Sequence, residues 1–271
     1  MKHLLSSLLL VVALTLPVQA QSQSQSQSYL THESDSQPSL QQLMDAREVF
    51  EYEVRYGFLT LGWVKVELLP DSLHNGEKVH HIRTQIRSNS RVPFVGTRIV
   101  NYESLFQNTE EYPFSHLFWR DDIHDDDLDR LRIIFDRDDD LVYFYERGEP
   151  TDTLALNEPA SGGDVIFYYS RIHAGLEEPY TLPVYTEGEM GPVIAATVPG
   201  TEMRSYDAFD DPIETYLSEG EAQIEGPFGF RGTFKSWFST DDLRIPVEAH
   251  VRVIFGNVKV RIISYERHGT N

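Results

Sequence analysis

The sequence predicts a mainly β protein. We expect one large curved antiparallel sheet or two packed sheets, half-barrel or barrel-like in shape, with one or two short helices. Apolar and polar residues alternate with a period of two along most of the chain, as in strands with one face in water. Turn formers, chiefly Gly, Asn, Asp and Pro, separate the alternating segments. Helical spacing is confined to two short segments.

The amino-terminal 39 residues differ in composition from everything after them. The run from Leu4 to Leu16 is almost all apolar and a cleavage signature follows, so residues 1–20 are predicted to be a signal peptide cut after Ala20. The run is shorter than the roughly 20 residues of a membrane span, and no integral membrane segment is expected after cleavage. Residues 21–39 are rich in Gln and Ser, which predicts a flexible linker. Residues 40–268 are expected to form a single β-rich domain.

Two segments have the pattern of helices. Leu40 to Val49 contains no Gly or Pro, and Ser39 precedes it as a candidate N-cap. The second runs from Gly162 to Ala174, with Asp164 expected to cap or charge its first turn and Gly175 expected to stop it. Its apolar stripe follows the spacing i, i+3, i+4 and i+7 and consists of Val165, Tyr168, Tyr169 and Ile172.

The remaining chain is predicted to form strands joined by turns. Turns are expected at Asn75-Gly76, Asp136 to Asp140, Gly188, Gly200, Gly220 and Gly226-Pro227. A terminal hairpin is expected to turn at Phe255-Gly256-Asn257. The predicted strands span about 50–56, 61–69, 79–89, 98–107, 114–120, 130–136, 141–147, 180–186, 192–199, 213–224, 230–239, 247–255 and 258–262.

Composition excludes some partners and some chemistry. Asp and Glu number 43 against 23 Lys and Arg, a net charge of -20, so this acidic protein is not expected to bind nucleic acid or an anionic membrane surface. Cysteine is absent, which removes disulfides, thiol nucleophiles and an acylated-cysteine anchor.

Two acidic runs, 121–129 and 136–140, raise the alternative of a calcium-binding surface protein, because carboxylate oxygens suit calcium. The second run opens like a calcium loop, but Leu141 stands where that loop requires glycine and Arg147 stands at its twelfth position. Solvated loops between strands are the favoured interpretation. We therefore assign no metal ligand and no cofactor.

No catalytic constellation is found, and the protein is expected not to be an enzyme. The sequence has no Gly-x-Ser-x-Gly turn and no phosphate-binding glycine loop. The neighbouring His80 and His81 lie on a predicted strand, where they point to opposite faces, so the two are not expected to bind one zinc ion. With 43 acidic residues, a pair of carboxylates is not diagnostic of a glycosidase. An envelope polysaccharide hydrolase stays as the less favoured alternative.

Aromatic residues make up 12% of the chain. Ordinary core and cross-strand packing explains most of them. The functional alternative is an apolar groove on the concave side of the sheet, suited to an acyl chain or to stacking on a sugar.

The stretch Ser236 to Pro246 is predicted to be a hairpin corner. Phe234, Ser236 and Phe238 point one way and Trp237 the other, polar turn formers follow, and Pro246 begins the next strand. The segment beginning at this corner, "WFSTDDLRIPVEAHVRVIFGNVKV", resembles the carboxy-terminal signature of domain-of-unknown-function family 3108. The segments "FEYEVRYGFLTLGWVKVEL" and "GDVIFYYSRI" resemble the opening hairpin and the helix of that family, in the same order.

The resemblance implies an exported bacterial envelope protein, mostly β, located in the periplasm or secreted. It implies no established activity, and the two acidic runs are not part of the family pattern. Taken with the residues, it predicts a non-catalytic protein that binds an apolar or glycan ligand on a curved sheet, or an envelope protein partner. The candidate ligand-binding residues are Asp164, Tyr168, Arg171, Trp237 and Asp241. Their main role is expected to be fixing the helix and the corner to the sheet.

Overall fold

The computed structural model describes residues 36–92, 96–124, 127–186, 188–226, 230–253 and 256–269. The predicted signal peptide and most of the predicted linker lie outside these residues. The mainly β class is confirmed, and the sheet is single and curved rather than split into two packed sheets.

Fifteen strands and two short helices make up the described chain. In chain order they are α1 (Leu40–Ala46), β1 (Glu48–Tyr56), β2 (Leu59–His74), β3 (Glu77–Ser88), β4 (Arg98–Asn108), β5 (Pro113–His124), β6 (Asp127–Asp136), β7 (Leu141–Glu146), β8 (Glu149–Ala155), β9 (Ser161–Gly162), α2 (Ile166–His173), β10 (Tyr180–Thr186), β11 (Glu189–Arg204), β12 (Ile213–Gly226), β13 (Phe230–Ser239), β14 (Pro246–Val253) and β15 (Gly256–Arg267).

The sheet follows the chain in two meanders that meet at β1 and β15. The strand order is β8-β7-β6-β5-β4-β3-β2-β1-β15-β14-β13-β12-β11-β10-β9. All pairs are antiparallel except β9 with β10, which is parallel. Short antiparallel connections keep sequential strands adjacent, so the sheet grows outward on both sides of β1.

The far edge of the sheet curls back onto β5. The backbone N–H of Ser115 donates to the carbonyl of Ala160 at 2.9 Å, and the N–H of Gly162 donates to Ser115 Oγ at 3.0 Å. Ser161 Oγ donates to the Pro113 carbonyl at 3.0 Å. The fifteen-stranded sheet therefore almost closes on itself, and β6, β7 and β8 extend past the point of contact.

Helix α1 confirms the predicted N-cap and ends earlier than predicted. The Ser39 hydroxyl accepts from the Gln42 N–H at 3.1 Å, which satisfies one of the helix's free donors. The helix stops at Ala46 rather than Val49, because Arg47 turns into the left-handed region and Glu48 already pairs with Arg267 in the sheet. Its buried face consists of Leu40, Leu43, Met44 and Ala46.

Helix α2 lies against the interior of the sheet, and the predicted cap by Asp164 is wrong. Val165 occupies the N-cap position without a side-chain cap, while Asp164 Oδ1 accepts a hydrogen bond from Ser104 Oγ of β4 at 2.5 Å. A contact 60 positions away in sequence thus replaces the local one. The predicted stop is confirmed, since Gly175 has a positive φ of 95° just beyond the helix end.

The acidic run 121–129 was predicted to be a solvated loop, and that prediction is wrong. Its described residues form the end of β5 and the start of β6, and Asp125 and Asp126 lie outside the described residues. The acidic side chains face arginines on neighbouring strands, which explains how a strand tolerates so many carboxylates. The pairs are Arg98–Asp122, Arg130–Asp121 and Arg120–Asp129.

Two glycines predicted to mark turns lie inside strands instead. Gly200 lies in β11, where the pairing with β12 shifts register between Thr197 and Thr201. Gly220 lies in β12 at a position where neighbouring atoms leave no room for a side chain. A Cβ there would come within 2.5 Å of both the Ile194 carbonyl oxygen and the Phe234 ring. Glycine in a strand commonly marks a bulge or a close approach.

Gly220→Ala is therefore expected to lower the free energy of unfolding by about 1–3 kcal/mol, the usual cost of forcing extra volume into a packed site. Urea denaturation measures it. Glu221→Ala, at an exposed position next in the strand, is the control and should change stability by less than about 0.5 kcal/mol. Equal midpoints for the two variants would show that the close approach is absent.

Candidate ligand-binding site

A cavity of about 390 Å³ lies between the concave face of the sheet and α2. Its wall is mostly apolar and is contributed by strands from both halves of the sheet. Among the lining side chains are Val64, Val66, Phe118, Leu131, Val193 and Phe234. Ligand sites are typically concave, largely apolar and about 300–1,000 Å³ in volume, so this cavity is of suitable size for a small amphiphile or an acyl chain.

Strand alternation places these side chains in the wall. On β13, Phe234, Ser236 and Phe238 line the cavity, while Trp237 lies on the opposite face, as the sequence predicted. On β14, Ala249 and Val251 line it in the same way. The floor comes from α2, which contributes Ile166, Phe167 and Ser170.

Four charged residues contribute atoms to the wall: Arg120, Asp164, Glu225 and Glu248. The Glu248 side chain lies on the opposite face of the sheet, because Glu248 is the β14 partner of Trp237. Arg120 pairs with Asp129 at 2.7 Å. Glu248 accepts from Arg204 at 2.6 Å, and His250 Nε2 lies 2.6 Å from its other oxygen. Side-chain hydrogen bonds from these partners hold the pKa of Glu248 below its usual value although burial opposes this. Arg120 and Glu248 are thus already engaged within the protein.

Asp164 is the most unusual polar group of the wall. Its Oδ1 accepts from Ser104, whereas Oδ2 is closed off from solvent and has no hydrogen-bond partner among the described residues. Burial raises the pKa of the Asp164 carboxyl to about 7, against the lowering effects of the Ser104 hydroxyl and of the backbone N–H groups of Asp164 and Val165. Near neutral pH this side chain is therefore present in both its acid and its carboxylate form.

Beneath the cavity, a buried ion pair fixes α2 to the sheet. Arg171 Nη2 lies 2.7 Å from Glu48 Oε2, and neither side chain is exposed to solvent. Arg171 Nε also donates to the Leu243 carbonyl at 2.9 Å, and the Tyr265 hydroxyl donates to Glu48 Oε1 at 2.6 Å. Tyr168 packs in the same cluster, with the Arg171 guanidinium 5.7 Å from its ring centre.

The corner after β13 is buried and held by its own polar groups. Ser239 Oγ accepts from the Ile245 N–H at 2.7 Å, and Asp241 Oδ1 accepts from the Leu243 N–H at 2.9 Å. Burial raises the pKa of Asp241 to about 6. Trp237 lies under the Arg204 guanidinium at 4.3 Å from the ring centre. These contacts are those of a structural corner.

Of the five sequence-predicted ligand residues, Asp164 lines the cavity, and Tyr168 and Arg171 lie in the core beneath it. Trp237 and Asp241 belong to the corner. The apolar wall itself was not singled out residue by residue. Its signal was the period-two alternation, which assigns side chains to a face without saying that the face encloses a space.

A second concavity, of about 520 Å³, lies on the opposite face of β6 and β7. It is lined by Arg130, Arg132 and Arg147 together with Leu128, Ile134 and Tyr145. Arg130 and Arg147 already form ion pairs with Asp121 and Asp129. Such exposed arginine–aspartate pairs are ordinary surface features, so the inner cavity is the better candidate site.

The described residues contain no group of three or more His, Asp or Glu side chains placed to hold a metal ion. The described helices, α1 and α2, have seven and eight residues, and neither has the length and apolar character that crossing a bilayer demands.

Comparison with solved structures supports the architecture. The chain is similar to the crystal structure of a β-barrel-like protein of domain of unknown function DUF1849 from Brucella abortus, with a TM-score of 0.51 and 8% identity over 83% of this chain and 99% of that one. The fold is β-barrel-like. The chain also aligns with LprF from Mycobacterium bovis at 10% identity, covering 87% of this chain and 96% of that one, but the TM-score of 0.19 is too low to indicate a shared fold.

Neither a family model nor a curated protein sequence matches the chain. The likeness to family 3108 therefore rests on its motifs alone.

Proposed function

We propose that this β-barrel-like protein is a non-catalytic binding protein that holds an apolar ligand in the cavity between the sheet and α2. The observation that carries the proposal is the cavity of about 390 Å³ with a mostly apolar wall. Leaving such a surface in contact with water is unfavourable, and burying a ligand methylene there contributes about 0.8 kcal/mol. Ten buried methylenes would thus contribute about 8 kcal/mol before the cost of ordering the chain is subtracted.

The wall favours an acyl chain over a glycan. A sugar presents several hydroxyls, each of which requires a hydrogen-bond partner once buried. The charged groups Arg120 and Glu248 are already paired, and most of the remaining wall is aliphatic or aromatic. The ligand class that fits this chemistry is a lipid-like molecule with one long apolar part.

The setting proposed for this activity is the bacterial envelope. It is supported by the signal-peptide pattern of residues 1–20 and by the resemblance to family 3108. A carrier or holder of apolar molecules in the periplasm or outside the cell needs a closed apolar interior, since the surrounding medium is aqueous. No catalytic group is needed for that role.

Ala249→Trp tests the proposal by filling the cavity from its β14 wall. The wild-type protein, stripped of bound lipid, is expected to bind the apolar dye Nile red with enhanced fluorescence. Ala249→Trp is expected to weaken that binding at least tenfold, because the indole ring occupies the space that the dye requires. Fluorescence titration gives the dissociation constants.

The matched control is Ala155→Trp, which adds the same ring at an exposed position of β8. It should bind the dye like wild type, and native mass spectrometry of protein purified without detergent should show a bound lipid in both. Absence of dye binding in the wild type, or equal loss in both tryptophan variants, would contradict a binding role for the cavity.

A further inference from the structure

The cavity wall contains a polar atom that the protein leaves without a hydrogen bond. Asp164 Oδ2 is closed off from solvent and, among the described residues, has no partner, although Oδ1 of the same carboxyl is held by Ser104 at 2.5 Å. Buried polar atoms are nearly always satisfied, and an unsatisfied carboxyl oxygen in an apolar wall destabilises the fold. A ligand group that reaches this oxygen would remove that cost.

Two hydroxyls of the wall already donate hydrogen bonds within the protein. The Ser170 hydroxyl donates to the Phe167 carbonyl at 3.2 Å, and the Thr186 hydroxyl donates to the Glu225 carbonyl at 3.0 Å. Arg120 and Glu248 are held in the ion pairs described above. The Glu225 residue is exposed rather than buried in the wall. Asp164 Oδ2 is a buried atom of a wall residue and has unused hydrogen-bonding capacity among the described residues.

We infer that the cavity selects an amphiphile whose inserted end carries a hydroxyl, with Asp164 receiving that hydroxyl and the apolar wall enclosing the chain. The inference rests on the proposed function, since it names the class of ligand for the same cavity. Ser104 becomes a positioning residue, because its hydrogen bond to Oδ1 fixes the orientation of the carboxyl.

A hydroxyl suits this carboxyl in both protonation states. It donates to the carboxylate and accepts from the neutral acid, and the two forms coexist because the pKa of Asp164 is about 7. A ligand carboxylate would place a second negative charge beside the first, which is unfavourable in a desolvated site. A ligand ammonium must lose its own hydration, and the cost of burying a second ion commonly cancels the gain from pairing.

The test compares three probes with the same ten-carbon chain: 1-decanol, decanoate and decylammonium. Each displaces Nile red from delipidated protein at pH 7. We expect 1-decanol to displace the dye at a concentration at least tenfold lower than either charged probe. In Asp164→Leu the advantage of 1-decanol over decanoate is expected to fall below threefold, while Nile red still binds.

The outcomes separate the two proposals. If wild-type protein does not bind Nile red, the proposed function fails. If it binds the dye but prefers decylammonium or decanoate, or does not discriminate, the apolar site stands and the hydroxyl inference is overturned. Should Asp164→Leu fail to fold, Asp164→Asn keeps the shape and removes the charge, and the preference of 1-decanol over decanoate must fall there as well.

Discussion

Arg171→Met is expected to lower the free energy of unfolding by about 3–5 kcal/mol, because it leaves the Glu48 carboxylate buried without its charge partner. Both side chains are inaccessible to solvent and lie 2.7 Å apart. Removing one member of such a pair is far more costly than removing both, since the remaining ion has lost its hydration and gains nothing in exchange.

The effect on the site follows from the position of Arg171 in α2. Its Nε donates to the Leu243 carbonyl at 2.9 Å, so the same guanidinium connects the helix to β1 and to the corner after β13. Loss of these contacts frees the floor of the cavity from the sheet. Urea denaturation followed by tryptophan fluorescence gives the change in stability.

Arg132→Met is the control, because Arg132 is exposed on the outer face of β6. It should change stability by less than about 0.5 kcal/mol. The double variant Glu48→Gln with Arg171→Met should regain part of the lost stability, since it buries no unpaired charge. If Arg171→Met unfolds at the same urea concentration as Arg132→Met, the buried ion pair does not hold α2 in place.

The sheet was predictable because its signals are local. Alternation along β1 and along the β14–β15 hairpin fixes which residues face inward, and Asn75-Gly76 marks a tight turn. Two strands were missed for physical reasons. β8 has an almost wholly exposed sequence and so lacks alternation, and β9 has two residues. Both strands are held in the sheet by pairing with neighbouring strands, and their own residue pattern does not predict them.

The acidic run shows how strand pairing can override composition. Consecutive aspartates favour a loop when each is judged alone. In the structure, Asp121 and Asp122 point to opposite faces of β5, and each meets an arginine on a neighbouring strand. The arginines lie 9 and 24 positions away in sequence, so the pairing becomes visible only once the register is known.

The cavity depends on relations that single-strand patterns do not contain. Alternation assigns Phe234 and Val64 to inward faces, but the space between them exists because the sheet curls until β9 reaches β5. Asp164 was singled out as a helix cap from its position before an apolar stripe. Its actual partner is Ser104, on a strand whose distance from the helix the sequence alone does not determine.

The free energy of unfolding of Asp164→Asn, relative to that of the wild type, is expected to increase as the pH rises. The folded-state pKa of Asp164 is about 7 against an ordinary value of 3.8, because burial disfavours the carboxylate. The folded protein therefore holds this proton more tightly than the unfolded chain does, and its stability falls with rising pH between the two values. Asparagine does not ionise in this pH range, so the substitution removes the loss of stability with rising pH.

Between pH 5 and pH 8, the free energy of unfolding of Asp164→Asn relative to wild type is expected to rise by about 3 kcal/mol. Comparing two pH values cancels any constant cost of the amide and also the contribution of Asp241, which is present in both proteins. Urea denaturation at the two pH values, in the absence of lipid, makes the measurement.

Asp122→Asn provides the contrast. The Arg98 guanidinium holds the pKa of Asp122 below its ordinary value, so the stability contributed by this carboxylate is complete above about pH 5 and is lost only at lower pH. Its cost relative to wild type should hence stay constant from pH 5 to pH 8. A constant difference for Asp164→Asn as well would mean that its carboxyl is hydrated, and the cavity wall at α2 would then be wet rather than apolar.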